Sequence, residues 1–180
     1  MLELGSKFLI CYFIGSVMGS MIVGRLRGGV DIRTMGSGNA GGTNALRTQG
    51  WLFALGVMII DVGKGVLAAG VIPSLELPIA TNDPRVSRTW LTLSCAAGAV
   101  IGHVWPMWHR FRGGKGAATL IGTIGVLSPG LIIPAVVVWL LALTLSGYVG
   151  LSTMAASISA PIYLALTQWP QAQAMIMYCL

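Results

Sequence analysis

Charge is what this sequence of 180 residues has least of: Asp, Glu, Lys and Arg together make up 9% of it, against 55% hydrophobic residues. A water-soluble globular domain carries several times more charge per apolar residue, so that class is excluded. Acids number five and histidines two, and beyond Lys115 there is no Asp, Glu, Lys or Arg at all. The three cysteines, Cys11, Cys95 and Cys179, each sit in apolar sequence without metal-type spacing, and they read as small hydrophobes. No cleavable leader is expected, since residues 8–24 run into glycine and arginine without a small-residue cleavage pattern. No Ser/His/Asp or Cys/His arrangement is visible, and no metal site is expected.

What is present is apolar sequence in membrane-length blocks. A spanning helix needs ~20 mostly apolar residues, and such blocks lie at 8–24, 51–73, 90–108 and 151–167. Residues 117–145 are long for one span and short for two, with the breaker Ser128-Pro129-Gly130 inside them, so the count of crossings stays open there. The final AMIMYCL is too short to cross a bilayer, which predicts a last helix that is incomplete. The expectation is one all-α, polytopic membrane domain over residues 1–180.

The net charge of +6 is concentrated in two places. Arg25, Arg27, Arg33 and Arg47 surround one loop with Asp31 as the local acid; Arg110, Arg112 and Lys115 form a second group with none. Between them, the 74–90 loop balances Glu76 and Asp83 against Arg85 and Arg88. The positive-inside bias then places both basic loops in the cytoplasm and the N-terminus outside. Cations so placed argue against nucleic acid as the partner and for the bilayer.

The first basic loop reads GSGNAGGTNALR, residues 36–47. Gly36, Gly38 and Gly41 match the letters of a dinucleotide fingerprint, with Asp61 at the ribose position, but that motif needs a soluble strand before it, and Asp61 falls inside an apolar helix. The general physics survives. Glycines let backbone N–H groups converge on an anion, Ser37, Asn39, Thr43 and Asn44 add side-chain donors, and a helix starting near Thr43 would point its N-terminus at the same anion. Arg47 supplies a guanidinium fork. The second loop, within GHVWPMWHRFRGGKGAAT at 102–119, repeats the logic with Arg112, Gly113, Gly114 and Lys115, while Trp105, Pro106 and Trp108 suit a chain leaving the bilayer. His103 reads equally well as an interfacial hydrogen-bonder and as a site residue. In DVGKG, Asp61 and Lys64 form an intramembrane i, i+3 pair, either self-satisfied or lining the floor of the site.

Taken together, GSGNAGGTNALR, DVGKG and GHVWPMWHRFRGGKGAAT resemble the bacterial acyl-phosphate glycerol-3-phosphate acyltransferases, the PlsY family, over residues from about 5 to 167. The resemblance implies seven transmembrane helices in the bacterial inner membrane, a site facing the cytoplasm, and a protein functional as a monomer. It implies acyl phosphate and glycerol 3-phosphate as substrates, lysophosphatidate and phosphate as products, and no cofactor or metal. Carried over, it puts Ser37, Asn39, Thr43 and Arg47 at the phosphate groups, with Lys115, and with Arg112 where the family usually has lysine. GYVGL at 147–151 stands where the family tends to have an arginine and a serine, which makes Ser152 a possible substitute. The thioester-using glycerolipid acyltransferases, with aspartate five residues after a histidine, are disfavoured: Trp108 and Gly114 occupy those positions. Two rival classes are a small anion transporter and a noncatalytic membrane remnant that binds lipid or phosphate. The transporter predicts polar interruptions in both halves, and here they stop at Lys115.

Overall fold

The computed structural model describes residues 1–78, 83–167 and 177. Eight α-helices follow in order among the described residues: α1 (Leu2–Gly15), α2 (Gly19–Leu26), α3 (Gly42–Gln49), α4 (Trp51–Gly70), α5 (Arg88–Val104), α6 (Ala117–Leu127), α7 (Ile132–Ser146) and α8 (Val149–Thr167). Among the described residues four helical segments are long and apolar enough to cross a membrane: Leu2–Leu26, Trp51–Ser74, Pro129–Ser146 and Val149–Thr167. The protein is an all-α, multi-pass membrane protein, as its composition required. The expected incomplete last helix lies outside the described residues.

The helices form two compact units, Met1–Thr123 and Ile124–Leu180. In the first, α1 packs along α5 and both pack on α4. Small residues make this possible: side chains at Gly15, Gly98 or Gly102 would overlap backbone of the facing helix, so the α1 and α5 backbones lie in direct contact. Gly65 and Gly122 do the same between α4 and α6. The core between α1, α4 and α5 contains Cys11, Ala68, Ile72, Cys95 and Ala99, so Cys11 and Cys95 are buried small hydrophobes as read from sequence.

Alternating helix directions give this unit two distinct ends. At one, the Met1 amino group pairs with Asp83 (3.2 Å), Lys7 Nζ donates to the Pro73 carbonyl (2.8 Å), and Arg88 reaches Glu3 (2.7 Å). At the other, Tyr12 Oη donates to the Trp105 carbonyl (2.9 Å), Phe13 packs on Trp108, and the charges of Asp31 and Arg33 are felt at His109. Both basic loops therefore lie at one end, opposite the charge-balanced connection.

In the second unit, Ser128-Pro129 resolves the ambiguity of the long apolar stretch. Residues 117–145 are two helices, because Pro129 offers no N–H and starts a short 3-10 turn, Pro129–Leu131, that leads into α7. Helix α7 stops at Gly147, which adopts a left-handed conformation (φ 71°), and α8 returns along it with Trp139 Nε1 donating to Thr153 Oγ1 (3.3 Å). Their large exposed side chains, Leu140, Leu141, Leu145, Met154 and Ile158 among them, form a surface for lipid.

Candidate functional site

The first loop is built around Asn44. Its amide nitrogen donates to the carbonyls of Ile32 (2.9 Å), Met35 (3.1 Å) and Asn39 (2.9 Å), and its Oδ1 accepts from Ser37 N–H (3.0 Å). Asn44 was expected to face an anion as a donor. The structure instead buries it and gives its amide to the loop, so it acts as the loop's frame. Ile32 anchors the same frame from below, packed with Ala45, Phe53, Ala54 and Val57. Gly36 and Gly38 take positive φ (56° and 72°), a conformation that lets the chain reverse within so few residues. Asn39 Oδ1 accepts from Gly41 N–H (2.8 Å) and sets the entry to α3.

With the frame satisfied, Ser37, Gly38, Thr43 and Arg47 remain exposed. Helix α3 begins at Gly42, one residue from the predicted start, and no side chain caps it. Its first-turn N–H groups are left for a ligand or water, with the positive end of the helix dipole behind them.

The second loop folds back on the end of α5. Phe111 N–H donates to Pro106 O (3.0 Å), Arg112 N–H to His109 O (3.2 Å) and Gly114 N–H to His103 O (3.1 Å). Arg110 and Phe111 both adopt left-handed conformations (φ 55° and 57°), unusual for a bulky residue and of order 1–3 kcal/mol each. Gly113 and Gly114 permit the close approach. A side chain at Gly113 would overlap the His103 carbonyl, and one at Gly114 would overlap the imidazole. The expectation of an open backbone cradle at both glycines is therefore revised: the Gly114 N–H is already bonded. Those of Gly113 and Lys115 have no protein acceptor among the described residues, and α6 begins two residues after Lys115.

The cations divide sharply. Arg33 makes three contacts with Asp31 (2.8–3.2 Å), which hold the Asp31 carboxyl below the usual carboxylate range. Arg47, Arg112 and Lys115 are exposed and make no ion pair among the described residues. Two glycine-rich loops at one end thus each present unpaired positive charge beside a helix N-terminus. Arginine, lysine and helix N-termini are groups that suit phosphate-type anions.

Asp61 and Lys64 are not a simple closed pair. The first span breaks between Gly15 and Gly19, and Lys64 Nζ, 3.0 Å from Asp61 Oδ1, donates to the Gly15 (2.8 Å) and Val17 (2.6 Å) carbonyls freed by the break. Asp61 Oδ1 accepts the Gly19 N–H at the start of α2 (3.1 Å). Each charge thus sits at the helix end of opposite polarity. Lys64 is buried among these partners. His103, also buried, turns Nδ1 towards Asp61 Oδ1 at 3.5 Å, a contact that charge feels but that makes no hydrogen bond. Sequence spacing could not show this link, since the carboxylate comes from another helix 42 residues away. Ser152 lies in the second unit, buried, its hydroxyl donating to the Tyr148 carbonyl (2.9 Å). Among the described residues no three His, Cys, Asp or Glu side chains stand together as a metal-ligand set.

Fold and composition together define an integral membrane protein that presents exposed cations on two glycine-rich loops at one end of its first unit. A family model described as "Glycerol-3-phosphate acyltransferase" matches residues 6–180, and the chain belongs to that family. Proteins of the same name resemble it: one from Chlorobaculum tepidum is 38% identical over 170 residues, 94% of this chain and 73% of the relative. One from Chlorobaculum parvum is 38% identical over 161 residues, 89% of this chain and 69% of the relative. The fold is similar to crystal structures of PlsY (YgiH), an integral membrane glycerol 3-phosphate acyltransferase, with a TM-score of 0.77 for the glycerol 3-phosphate form and 0.76 for the lysophosphatidic acid form. In both the identity is 26%, over 98% of this chain and 82% of that one.

Proposed function

We propose that the protein transfers a fatty acyl group from acyl phosphate to the 1-hydroxyl of sn-glycerol 3-phosphate, releasing lysophosphatidate and inorganic phosphate. The observation that carries this reading is the set of unpaired cations, Arg47, Arg112 and Lys115, on two glycine-rich loops at the same end of the helices. Two phosphate-bearing substrates must come together there. Taken as dianions ~7 Å apart at an effective dielectric of ~20, they repel by roughly 9 kcal/mol. Unpaired arginine and lysine offset that repulsion.

In this reading Ser37, Thr43, Arg47 and the amide nitrogen of Asn39 serve one phosphate, while the expected donors Gly38 and Gly41 shape the loop instead, their N–H groups being bonded to the Met35 carbonyl (3.0 Å) and to Asn39 Oδ1 (2.8 Å); Lys115, Arg112 and Gly113 complete the charge on the other loop. An acyl phosphate is an activated mixed anhydride, so positioning and oxyanion stabilisation can supply most of the catalysis. The glycerol 3-phosphate hydroxyl oxygen forms the new ester bond to the acyl carbon as the carbon–oxygen bond to phosphate breaks. The departing phosphate takes the hydroxyl proton, which removes the need for a protein general base. The acyl tail enters from the bilayer among the uncharged helices. The site faces the cytoplasm of a bacterial inner membrane, following the excess of arginine and lysine at that end.

The test is transfer of radiolabelled acyl phosphate to glycerol 3-phosphate by the purified protein in lipid, with acyl-CoA as the control donor. Lysophosphatidate from acyl phosphate alone is the expected result. Product from acyl-CoA alone would overturn the donor, and phosphate flux into vesicles without product lipid would point to transport.

A further inference from the structure

We propose that Asp61 is a positioning residue that fixes the separation of the two anion-binding loops. The inference rests on the proposed function, because it assigns to one buried carboxylate the alignment of the two phosphate-bearing substrates. Asp61 is fully buried in the middle of α4, and a single oxygen, Oδ1, is where α2 and α5 both meet the Lys64 side chain of α4 itself. It accepts the Gly19 N–H (3.1 Å), it pairs with Lys64 Nζ (3.0 Å), and it faces His103 Nδ1 (3.5 Å).

Two of those contacts, Gly19 and His103, each lead to a loop. Gly19 opens α2, whose Gly24 carbonyl accepts from both Gly29 (2.9 Å) and Val30 (3.0 Å). From there the chain passes to Ile32, which is tied to Asn44 and so to Ser37. His103 ends α5; its carbonyl takes the Gly114 N–H (3.1 Å), and its ring fills the place where a side chain on Gly114 would sit. Gly114 precedes Lys115. Lys64 meanwhile holds the broken end of α1 through two carbonyls, so that α2 cannot slide along the break without losing both bonds. The second carboxylate oxygen, Oδ2, and His103 Nδ1 are both buried and without a hydrogen-bond partner among the described residues. Buried polar groups left so are costly and persist where an arrangement is held for another purpose. A structural ion pair would need only Lys64. The convergence on one oxygen of the segments that lead to both loops is what a spacer requires.

A spacer and a binding residue differ in kinetics. If Asp61 sets spacing, each substrate still binds its own loop when the carboxylate is neutralised, but the reacting atoms are misaligned, and a misplacement of ~1 Å costs on the order of 100-fold in rate. Asp61→Asn is the sharpest probe, since it keeps the shape and an acceptor for Gly19 N–H while removing the charge that Lys64 and His103 face. The expected result is a fall in kcat of about 10- to 100-fold, with KM for glycerol 3-phosphate and for acyl phosphate each within about threefold of the unaltered protein. His103→Gln should give the same pattern more weakly, and the double variant should be no worse than Asp61→Asn, because both act through one contact.

A second readout is independent of turnover. Spin labels at Thr34→Cys and Met107→Cys, with Cys179→Ser, report the distance between the loop regions; a single narrow distance should broaden or shift in Asp61→Asn. An unchanged kcat and an unchanged distance would overturn the proposal. A rise in one substrate's KM at constant kcat would also overturn it, since that marks a binding residue. Where Asp61→Asn does not fold, His103→Gln decides by the same two measurements. Absence of product from acyl phosphate in the unaltered protein would refute the proposed function, and the label distance would still judge the spacer.

Discussion

At one end of the first unit Glu3 lies buried beneath three partners: Lys7 (2.9 Å), both terminal nitrogens of Arg88 (2.7 Å each) and the Asp83 N–H (2.8 Å). At the other, Arg47, Arg112 and Lys115 stand exposed and make no ion pair among the described residues, while Arg33 is neutralised by Asp31. Both ends belong to the same helices, but the first sets three acids (Glu3, Glu76, Asp83) against three cations (Lys7, Arg85, Arg88) while the second sets seven cations against Asp31, so they differ in charge balance and in pairing. Charge that closes on itself, partly out of water, maintains architecture. Charge left open at a glycine-rich surface is available to a ligand, and the repulsion among like cations is relieved only when an anion arrives.

That comparison is broken most forcefully from the open end. Lys115→Ala or Arg47→Ala should lower kcat/KM for acyl transfer at least about 100-fold, the scale of losing a preorganised charge at a developing anion. The unfolding temperature should stay within a few degrees, because neither side chain pairs with the protein. Transfer assays and thermal unfolding on the same preparations check both halves. Full activity would remove the residue from the site; a collapse of stability would show that the end is not open.

Glu3→Gln attacks the closed end. It leaves Lys7, itself fully buried, without its carboxylate, and breaking a buried pair by removing one partner costs about 3–5 kcal/mol. Stability should fall on that scale while turnover per folded molecule is retained. A variant as stable as the parent would mean that Pro73 and water satisfy Lys7 unaided.

Much of this contrast could be read from the sequence, and the reason is the membrane. Helices that must satisfy their own backbone in lipid declare themselves as apolar runs, and loops that bind anions must be polar, so GSGNAGGTNALR and RGGKG stood out at once. Pairing was harder to read. Glu3 finds Arg88 across 85 residues, and Asp61 finds His103 across another helix boundary; neither spacing carries a periodic signature. The role of Asn44 was hidden for a related reason. An asparagine facing a ligand and one bracing a loop look alike until its four partners are seen. The break at Ser16–Met18 was also silent, because no proline marks it and the pair that holds it open lies on α4.

A smaller effect separates loop shape from loop charge. Gly114→Ala adds one carbon against the His103 ring, which must shift and carry the Lys115 turn with it. A loss of about tenfold in kcat/KM is expected, an order below the loss of the cation itself. Gly5→Ala, where nothing lies within 4 Å, is the matched control at the closed end and should be silent. Equal effects of the two would mean that the second loop tolerates displacement and that its charge alone matters.

The smallest effect reads the electrostatics of the open end at His109. Burial, then the positive field of Arg33, pushes the His109 imidazole below its ordinary value. The folded protein then binds fewer protons here than the unfolded chain, whose histidine titrates near ~6.5. His109 therefore contributes stability that is fully present above ~6.5 and is lost as pH falls through that value towards the lower folded one. The unfolding temperature followed from pH 8 to 5 should decline on the acid side, and His109→Gln should flatten part of that decline. Added salt should flatten a further part in the unaltered protein, because screening weakens the push from Arg33 but leaves burial untouched. If salt changes nothing, burial alone holds the proton off. If His109→Gln leaves the slope intact, the acid sensitivity belongs to the carboxylates of the closed end, and the two ends would have exchanged the roles their pairing assigns them.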